Sequence, residues 1–183
     1  MPNPDWEARH AKTVASGSAE LTASSLIVEF TTQLQPGRAL DLACGLGRHS
    51  LWLARMGWHV TAVDRSRVAI EFLQRAAAAQ GTRIDAVVAD LESGGLVIRQ
   101  DHPWNLIVVY NYWQRGLMAS VRSGVSPGGF VLASARLTGS FRVEPGELRS
   151  AFSDWEILHY REHQNADAGH ATAQIAARRP TIA

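Results

Sequence analysis

The chain has 183 residues, of which 46% are hydrophobic and 19% charged, a composition that excludes a disordered chain and suits one domain able to fold without metals or disulfides. Lys and Arg number 18 against 17 Asp and Glu, a net charge of +1, so no broad positive field exists to attract nucleic acid or anionic membrane, and neither partner is expected. The single cysteine, Cys44, excludes an internal disulfide and fits a reducing cytoplasm.

The opening, Met1 to Lys12, is polar, carries Asp5 and Glu7, and has no apolar segment of the kind that leads secreted proteins. Ala23, Leu26, Ile27, Phe30 and Leu34 recur at helical spacing, and Pro36-Gly37 stops that helix. Arg38 to Ala43 reads as a short buried strand. His49 to Met56 reads as a helix ending at Gly57, and Trp58 to Val63 as a second strand ending at Asp64. Ser66 is the expected N-cap of a helix that carries Val68, Ala69, Phe72, Leu73 and Ala76 on one face and closes at Gly81.

Ile84 to Ala89 is the third strand, ending at Asp90. Glu92 to Pro103, with Gly94-Gly95, is expected to be a loop. Leu106 to Tyr110 is a continuous apolar run, the signature of a central parallel strand, and far too short to span a bilayer. A helix over Gly116 to Ser123 follows, then the turn Ser126-Pro127-Gly128-Gly129 and a fifth strand from Phe130 to Ser134. Pro145 opens a short helix through Phe152. Trp155 to Glu162 and Ala171 to Ala177 are expected to close the chain as a hairpin.

Strands alternating with helices predict an α/β fold: a doubly wound, mostly parallel seven-stranded sheet with a C-terminal antiparallel hairpin and helices on both faces. In such sheets the ligand lies beyond the carboxyl ends of the strands, where Asp41 to Gly47, Asp64, Asp90 and Asn111 all fall.

The stretch Asp41-Leu42-Ala43-Cys44-Gly45-Leu46-Gly47-Arg48 carries the chemistry. Its glycines let backbone turn sharply and approach a ligand, and the following helix points free N–H groups at the same spot. A Gly-x-Gly pair alone is common in turns; the signal comes from combining it with three strand-end carboxylates. Asp41 is placed to accept from an α-ammonium, directly or through water. Asp64 is placed to accept two ribose hydroxyls. Asp90 is placed to accept from an adenine amino group while the Leu91 N–H donates to the ring. One ligand holding an amine, a ribose and an adenine satisfies all three.

These stretches, with Val60-Thr61-Ala62-Val63-Asp64, Val88-Ala89-Asp90-Leu91, Asn105 to Tyr112 and Pro127-Gly128-Gly129, resemble the class I S-adenosylmethionine-dependent methyltransferases over roughly Trp6 to Pro180. The subgroup with the greatest similarity is the bacterial small-molecule enzymes of the tellurite-resistance type. Asp5-Trp6-Glu7-Ala8-Arg9-His10 is similar to the segment with which that subgroup covers its cofactor. The resemblance implies a single Rossmann-like methyltransferase domain over 1–183, with 1–36 a helical lid segment and 37–183 the core. It implies S-adenosylmethionine as cofactor, held by Asp41, Ala43, Cys44, Gly45, Gly47, Asp64, Arg65, Asp90, Leu91 and Asn111, and a small-molecule methyl acceptor. Two departures are visible: Arg136 to Pro145 is short where the family has a longer acceptor-shaping segment, and Arg65 stands where an apolar residue near the adenine is expected.

Methyl transfer from a sulfonium needs positioning and exclusion of water more than a dedicated base, so no catalytic residue is forced. Tyr112, Trp113 and Arg115, just past the fourth strand, are the acceptor-side candidates, and the aromatics suit a sulfonium charge. Plainer roles fit the same residues: Asp64 as a carboxylate capping Ser66 or Arg67, Asp90 as a solvated turn residue, Cys44 as a small packed residue, Trp6, Arg9 and His10 as a frayed end. Tyr112 and Trp113 read equally as a cap on the core, and Arg136 and Arg142 as solvated. His159, His163 and His170 lack a cysteine partner and read as a solvated sheet edge, so no metal is expected.

The competing functions are three. A nicotinamide dehydrogenase wants a third glycine where Ser50 stands, and Asp41 sits badly beside a pyrophosphate. Nucleic-acid methylation is disfavoured by the charge balance and by Asn111-Tyr112-Trp113, which is not an Asn-Pro-Pro-aromatic pattern. A non-catalytic module that binds the cofactor as a sensor or partner protein fits the same residues.

Overall fold

The computed structural model describes residues 5–93, 102–139, 141–165 and 170–181, with 164, 165 and 170 as backbone only. The expectation for Gly94-Gly95 and that for the His170 side chain lie outside the described residues.

In chain order the elements are α1 (Trp6–Ala15), α2 (Ser25–Thr31), β1 (Arg38–Leu42), α3 (Arg48–Arg55), β2 (His59–Asp64), α4 (Arg67–Ala79), β3 (Ile84–Val88), β4 (Trp104–Tyr110), α5 (Arg115–Gly124), β5 (Val125–Arg136), α6 (Glu147–Ser150), β6 (Glu156–Asn165) and β7 (His170–Arg178). The strands form a seven-stranded sheet in the order β3-β2-β1-β4-β5-β7-β6, mostly parallel with an antiparallel closing hairpin, as the alternation of periods predicts. The chain divides into two compact units, Pro2–Leu96 and Val97–Ala183.

In the Pro2–Leu96 unit, β1, β2 and β3 are parallel and in register. Leu42 pairs with Val63, and Val63 with Val87, so the carboxyl ends of the three strands are level. Helix α4 starts where Ser66 Oγ accepts from the Ala69 N–H at 3.1 Å and stops before Gly81, whose φ of 66° suits only glycine without strain. Its buried face is Ala69, Ile70, Leu73 and Ala77, with Val68, Phe72 and Ala76 half-buried. The apolar stripe is thus the expected one turned toward Ile70 and Ala77. Leu51, Ala62, Leu73 and Ala77 form a core cluster against which Cys44, Ile84 and Ala86 pack.

In the Val97–Ala183 unit, β4 and β5 are parallel, and β7 runs antiparallel to both β5 and β6. Leu106, Ile107, Val108 and Val109 are fully buried, which accounts for their unbroken apolar run. The expected turn at 126–129 is instead taken into β5. Trp104 faces Val125 and Leu106 faces Phe130, so two steps on β4 oppose five on β5 and the extra residues bulge. Pro127 donates no N–H, which a bulge tolerates, and a Cβ on Gly129 would stand 2.9 Å from the Asn105 carbonyl oxygen. Helix α6 is one turn long, shorter than the expected run from Pro145 to Phe152. It opens at Gly146, with a φ of 78°, and the chain then turns so that Phe152 and Trp155 meet edge to face with ring centres 5.2 Å apart.

Leu73→Ala removes a side chain with no exposure and opens a cavity under the loop that follows β1. It is expected to cost about 2–5 kcal/mol, read as a lowered denaturation midpoint in urea with unchanged slope.

Candidate functional site

Past Leu42 the backbone turns through three residues with positive φ, Ala43 at 53°, Gly45 at 55° and Gly47 at 84°. The Cys44 N–H donates to the Val63 carbonyl at 3.0 Å, which moors the loop to β2, and the Gly47 N–H closes it onto the Cys44 carbonyl at 3.0 Å. Gly47 is required twice over. Its φ is left-handed, and a Cβ there would stand 2.3 Å from Leu73 Cδ1. Ala43 holds its left-handed backbone at a cost of about 1–2 kcal/mol, strain that the surrounding bonds sustain.

Two buried carboxylates meet this loop. Asp64, 7% exposed at the end of β2, accepts from the Gly45 N–H at 2.8 Å on Oδ2 and from the Ser66 N–H at 2.9 Å on Oδ1. The capping role of the plainer reading is therefore real, and Asp64 spans from helix start to glycine loop as well. Asp41, 1% exposed, accepts from Ser50 Oγ at 2.5 Å. Burial pushes the Asp41 carboxyl up to about 7, against the opposing pull of the Ser50 bond and with a further push from the Asp64 charge. Burial, with Asp41 and Asp64 nearby, also pushes the Cys44 thiol well above its ordinary value, and Cys44 packs against the core cluster.

Beyond β3, the Ala89 N–H donates to the Asp64 carbonyl at 3.0 Å. Asp90 Oδ1 accepts from the Glu92 N–H at 3.0 Å, folding the turn in which Leu91 is buried. Arg65 points to Glu92 at 3.6 Å with both side chains well exposed, an ion pair of little energetic weight.

Helix α1 adds residues that the sequence left open between lid and frayed end. It is a formed helix, capped where Asp5 Oδ1 accepts from the Ala8 N–H at 3.0 Å. Glu7 Oε1 accepts from the Val68 N–H of α4 at 3.3 Å, a contact between residues 61 positions apart. His10, one turn on, brings Nε2 to 3.6 Å from where a Cβ on Gly45 would lie. Trp6 lies 6.0 Å from the His10 ring, with the Arg9 guanidinium 5.1 Å from the Trp6 ring centre. Burial lowers the His10 pKa, and the Asp64 carboxylate opposes that shift.

The remaining candidates belong to the Val97–Ala183 unit. Asn111 follows β4 with a φ of 58°, and its N–H donates to the Ser134 carbonyl at 2.7 Å. Tyr112 is buried and stacks on Phe141 at 4.8 Å. Trp113 Nε1–H and the Arg115 guanidinium both donate to Glu147, at 2.9 and 2.5 Å, which places two of the three acceptor-side candidates on one carboxylate. Glu147, Phe141 and Ser50 were not singled out as site residues from the sequence. Glu147 and Phe141 are reached only by long-range folding. Ser50 carried a signal, because a hydroxyl at the third-glycine place needs a partner. Among the described residues, no three His, Cys, Asp or Glu side chains gather in a group able to hold a metal ion.

A family model described as tellurite resistance protein TehB matches residues 15–178. Over 155 residues the chain is 31% identical to hemagglutinin 1 of Eikenella corrodens, covering 77% of this chain and 51% of that protein. Over 150 residues it is 26% identical to the probable S-adenosyl-L-methionine-dependent methyltransferase TehB of Haemophilus influenzae, covering 75% of this chain and 52% of that protein. The chain therefore spans about half the length of the curated relatives it matches. The crystal structure of TehB from Haemophilus influenzae shares its fold, with a TM-score of 0.74 at 23% identity over 95% of this chain and 67% of the other. With the family model matching all but the ends, this chain belongs to the TehB family of tellurite resistance proteins.

Proposed function

We propose that the chain is a methyltransferase that binds S-adenosylmethionine and passes its methyl group in line to a small-molecule acceptor. The observation that carries the reading is Asp64, a buried strand-end carboxylate bonded to the Gly45 N–H of the glycine loop. Two backbone donors orient it, and a carboxylate has about four acceptor positions, so two remain for a pair of ribose hydroxyls. Membership of a family with a relative named as a probable S-adenosylmethionine-dependent methyltransferase supports the same reading.

In this reading the loop backbone at Ala43, Cys44, Gly45 and Gly47 lies along the ligand. Asp41 answers the α-ammonium. Asp90 and the Leu91 N–H hold the adenine, Asp90 after first shaping its own turn. Arg65, which would border the adenine, is engaged with Glu92. Segment 1–36 serves as a lid, with His10 over Gly45. The bound cofactor supplies an activated methyl group; the protein's work is to hold it, exclude water and present the acceptor in near-attack geometry. Tyr112 is the acceptor-side residue of choice, since Trp113 and Arg115 are committed to Glu147. The near-neutral charge favours a small acceptor over nucleic acid, and no described helix is long and apolar enough to cross a membrane. We propose a cytoplasmic location on the same grounds, and a single methyltransferase domain on the family match over residues 15–178.

Calorimetric titration with S-adenosylmethionine is expected to show one site per chain. Asp64→Ala is expected to weaken it at least tenfold, in line with about 1.5–3 kcal/mol for hydrogen bonds to a charged group. Binding of NADH instead, or full affinity in Asp64→Ala, would overturn the assignment. A screen of small nucleophiles is expected to yield S-adenosylhomocysteine from the cofactor, which a non-catalytic module would not produce. With the acceptor so found, Tyr112→Ala is expected to raise its KM several-fold while leaving the cofactor Kd unchanged.

A further inference from the structure

Two carboxylates converge on one short loop, and their hydrogen-bond donors are unequal. Asp64 has two backbone N–H groups, which can only donate. Asp41, 1% exposed, has the hydroxyl of Ser50, itself fully buried in the first turn of α3, at 2.5 Å. A serine hydroxyl rotates. It donates to a carboxylate and equally accepts from a carboxylic acid, so Ser50 serves Asp41 in both charge states where a backbone N–H would serve only one. It also fills the place that a dinucleotide-binding loop gives to its third glycine, turning a packing position into a polar contact with β1.

We propose that Ser50 is a positioning residue for Asp41, and that the pair holds a proton which leaves to solvent when the cofactor's α-ammonium binds. This rests on the S-adenosylmethionine reading above. The step balances simply: the carboxylic acid of Asp41 loses its proton to bulk water, the ammonium keeps its own, and the two form an ion pair to which Ser50 donates. In the free protein a neutral Asp41 spares the interior a second negative charge beside Asp64. In the complex the ligand supplies the compensating charge.

The charged and titratable groups around Asp41 are the Asp64 carboxylate on β2, Arg48 at the start of α3 and the Cys44 thiol in the loop; His10 on α1 faces Asp64. Burial, the largest influence, and the Asp64 charge push Asp41 up to about 7, and the Ser50 bond and Arg48 pull it back. The sign follows. Below about pH 7 the free protein holds the proton and binding must expel it, so affinity falls about tenfold per pH unit as pH drops; above it the profile flattens.

The test is calorimetry of the whole chain with S-adenosylmethionine from pH 5.5 to 7.5 in two buffers of different ionisation enthalpy. The probe 5′-methylthioadenosine, which has no α-amino group, is run in parallel. The expected result at pH 6 is release of about one proton with S-adenosylmethionine and none with methylthioadenosine or in Asp41→Asn. Asp41→Asn retains His10, so proton release that persists there belongs to His10 and overturns the proposal. Ser50→Ala is expected to move the midpoint of the affinity profile upward by several tenths of a pH unit, and Ser50→Thr to restore it; an unmoved midpoint in Ser50→Ala removes Ser50 from the account. Infrared spectra at pH 6 supply a measure on the unmutated protein, where a carboxylic-acid carbonyl band is expected to be bleached by the cofactor. Binding of S-adenosylmethionine with no buffer-dependent heat and no such band defeats the proton-holding pair alone. No binding at any pH defeats the functional reading and this inference with it.

Discussion

The Asp64 carboxylate is the constraint on which the Pro2–Leu96 unit depends at its functional end. One oxygen holds the Gly45 N–H and the other the Ser66 N–H, so a single side chain ties the loop after β1 to the start of α4. Its own carbonyl takes the Ala89 N–H beyond β3. Three chain segments that are remote in sequence are thereby aligned at the level ends of three parallel strands. A carboxyl group this buried is tolerable because both oxygens are bonded to donors.

Beneath that carboxylate the loop shape is set by packing. Leu73 of α4 presses against the α-carbon of Gly47, in the space a side chain would need, so the apolar core that stabilises the sheet also fixes the curvature of the glycine loop. Core packing and loop shape share one contact, and a change at either residue is felt at both. Helix α1 is held to the same place from outside. The Glu7 carboxylate takes the Val68 N–H, one of the donors that the start of α4 leaves over, which sets His10 above Gly45.

The Val97–Ala183 unit organises its own polar groups around Glu147. Trp113, Arg115 and the Glu144 N–H all donate to that carboxylate, fixing the segment that follows β4 against the start of α6. This turns two residues that look like acceptor contacts in the sequence into a brace. The short connection from Arg136 to Pro145 still contributes, through Phe141 stacked on Tyr112.

By itself the sequence determined the alternation of strand and helix, because each element's period and its stop signals are local: Ser66 caps α4, Gly81 ends it, and the run Leu106 to Val109 marks a strand buried on both faces. It also located Asp41, Asp64 and Asp90 at or just past strand ends, since those ends can be found from the same local signals. Where residues insert without changing composition, local signals misplace the boundary, as at the bulge that takes Ser126 to Gly129 into β5. Only the tertiary structure decided which partner each side chain found. Ser50 on Asp41, Glu7 on the Val68 N–H and Glu147 on Trp113 join positions that no periodicity links, because hydrogen bonds across a fold depend on where distant elements are packed.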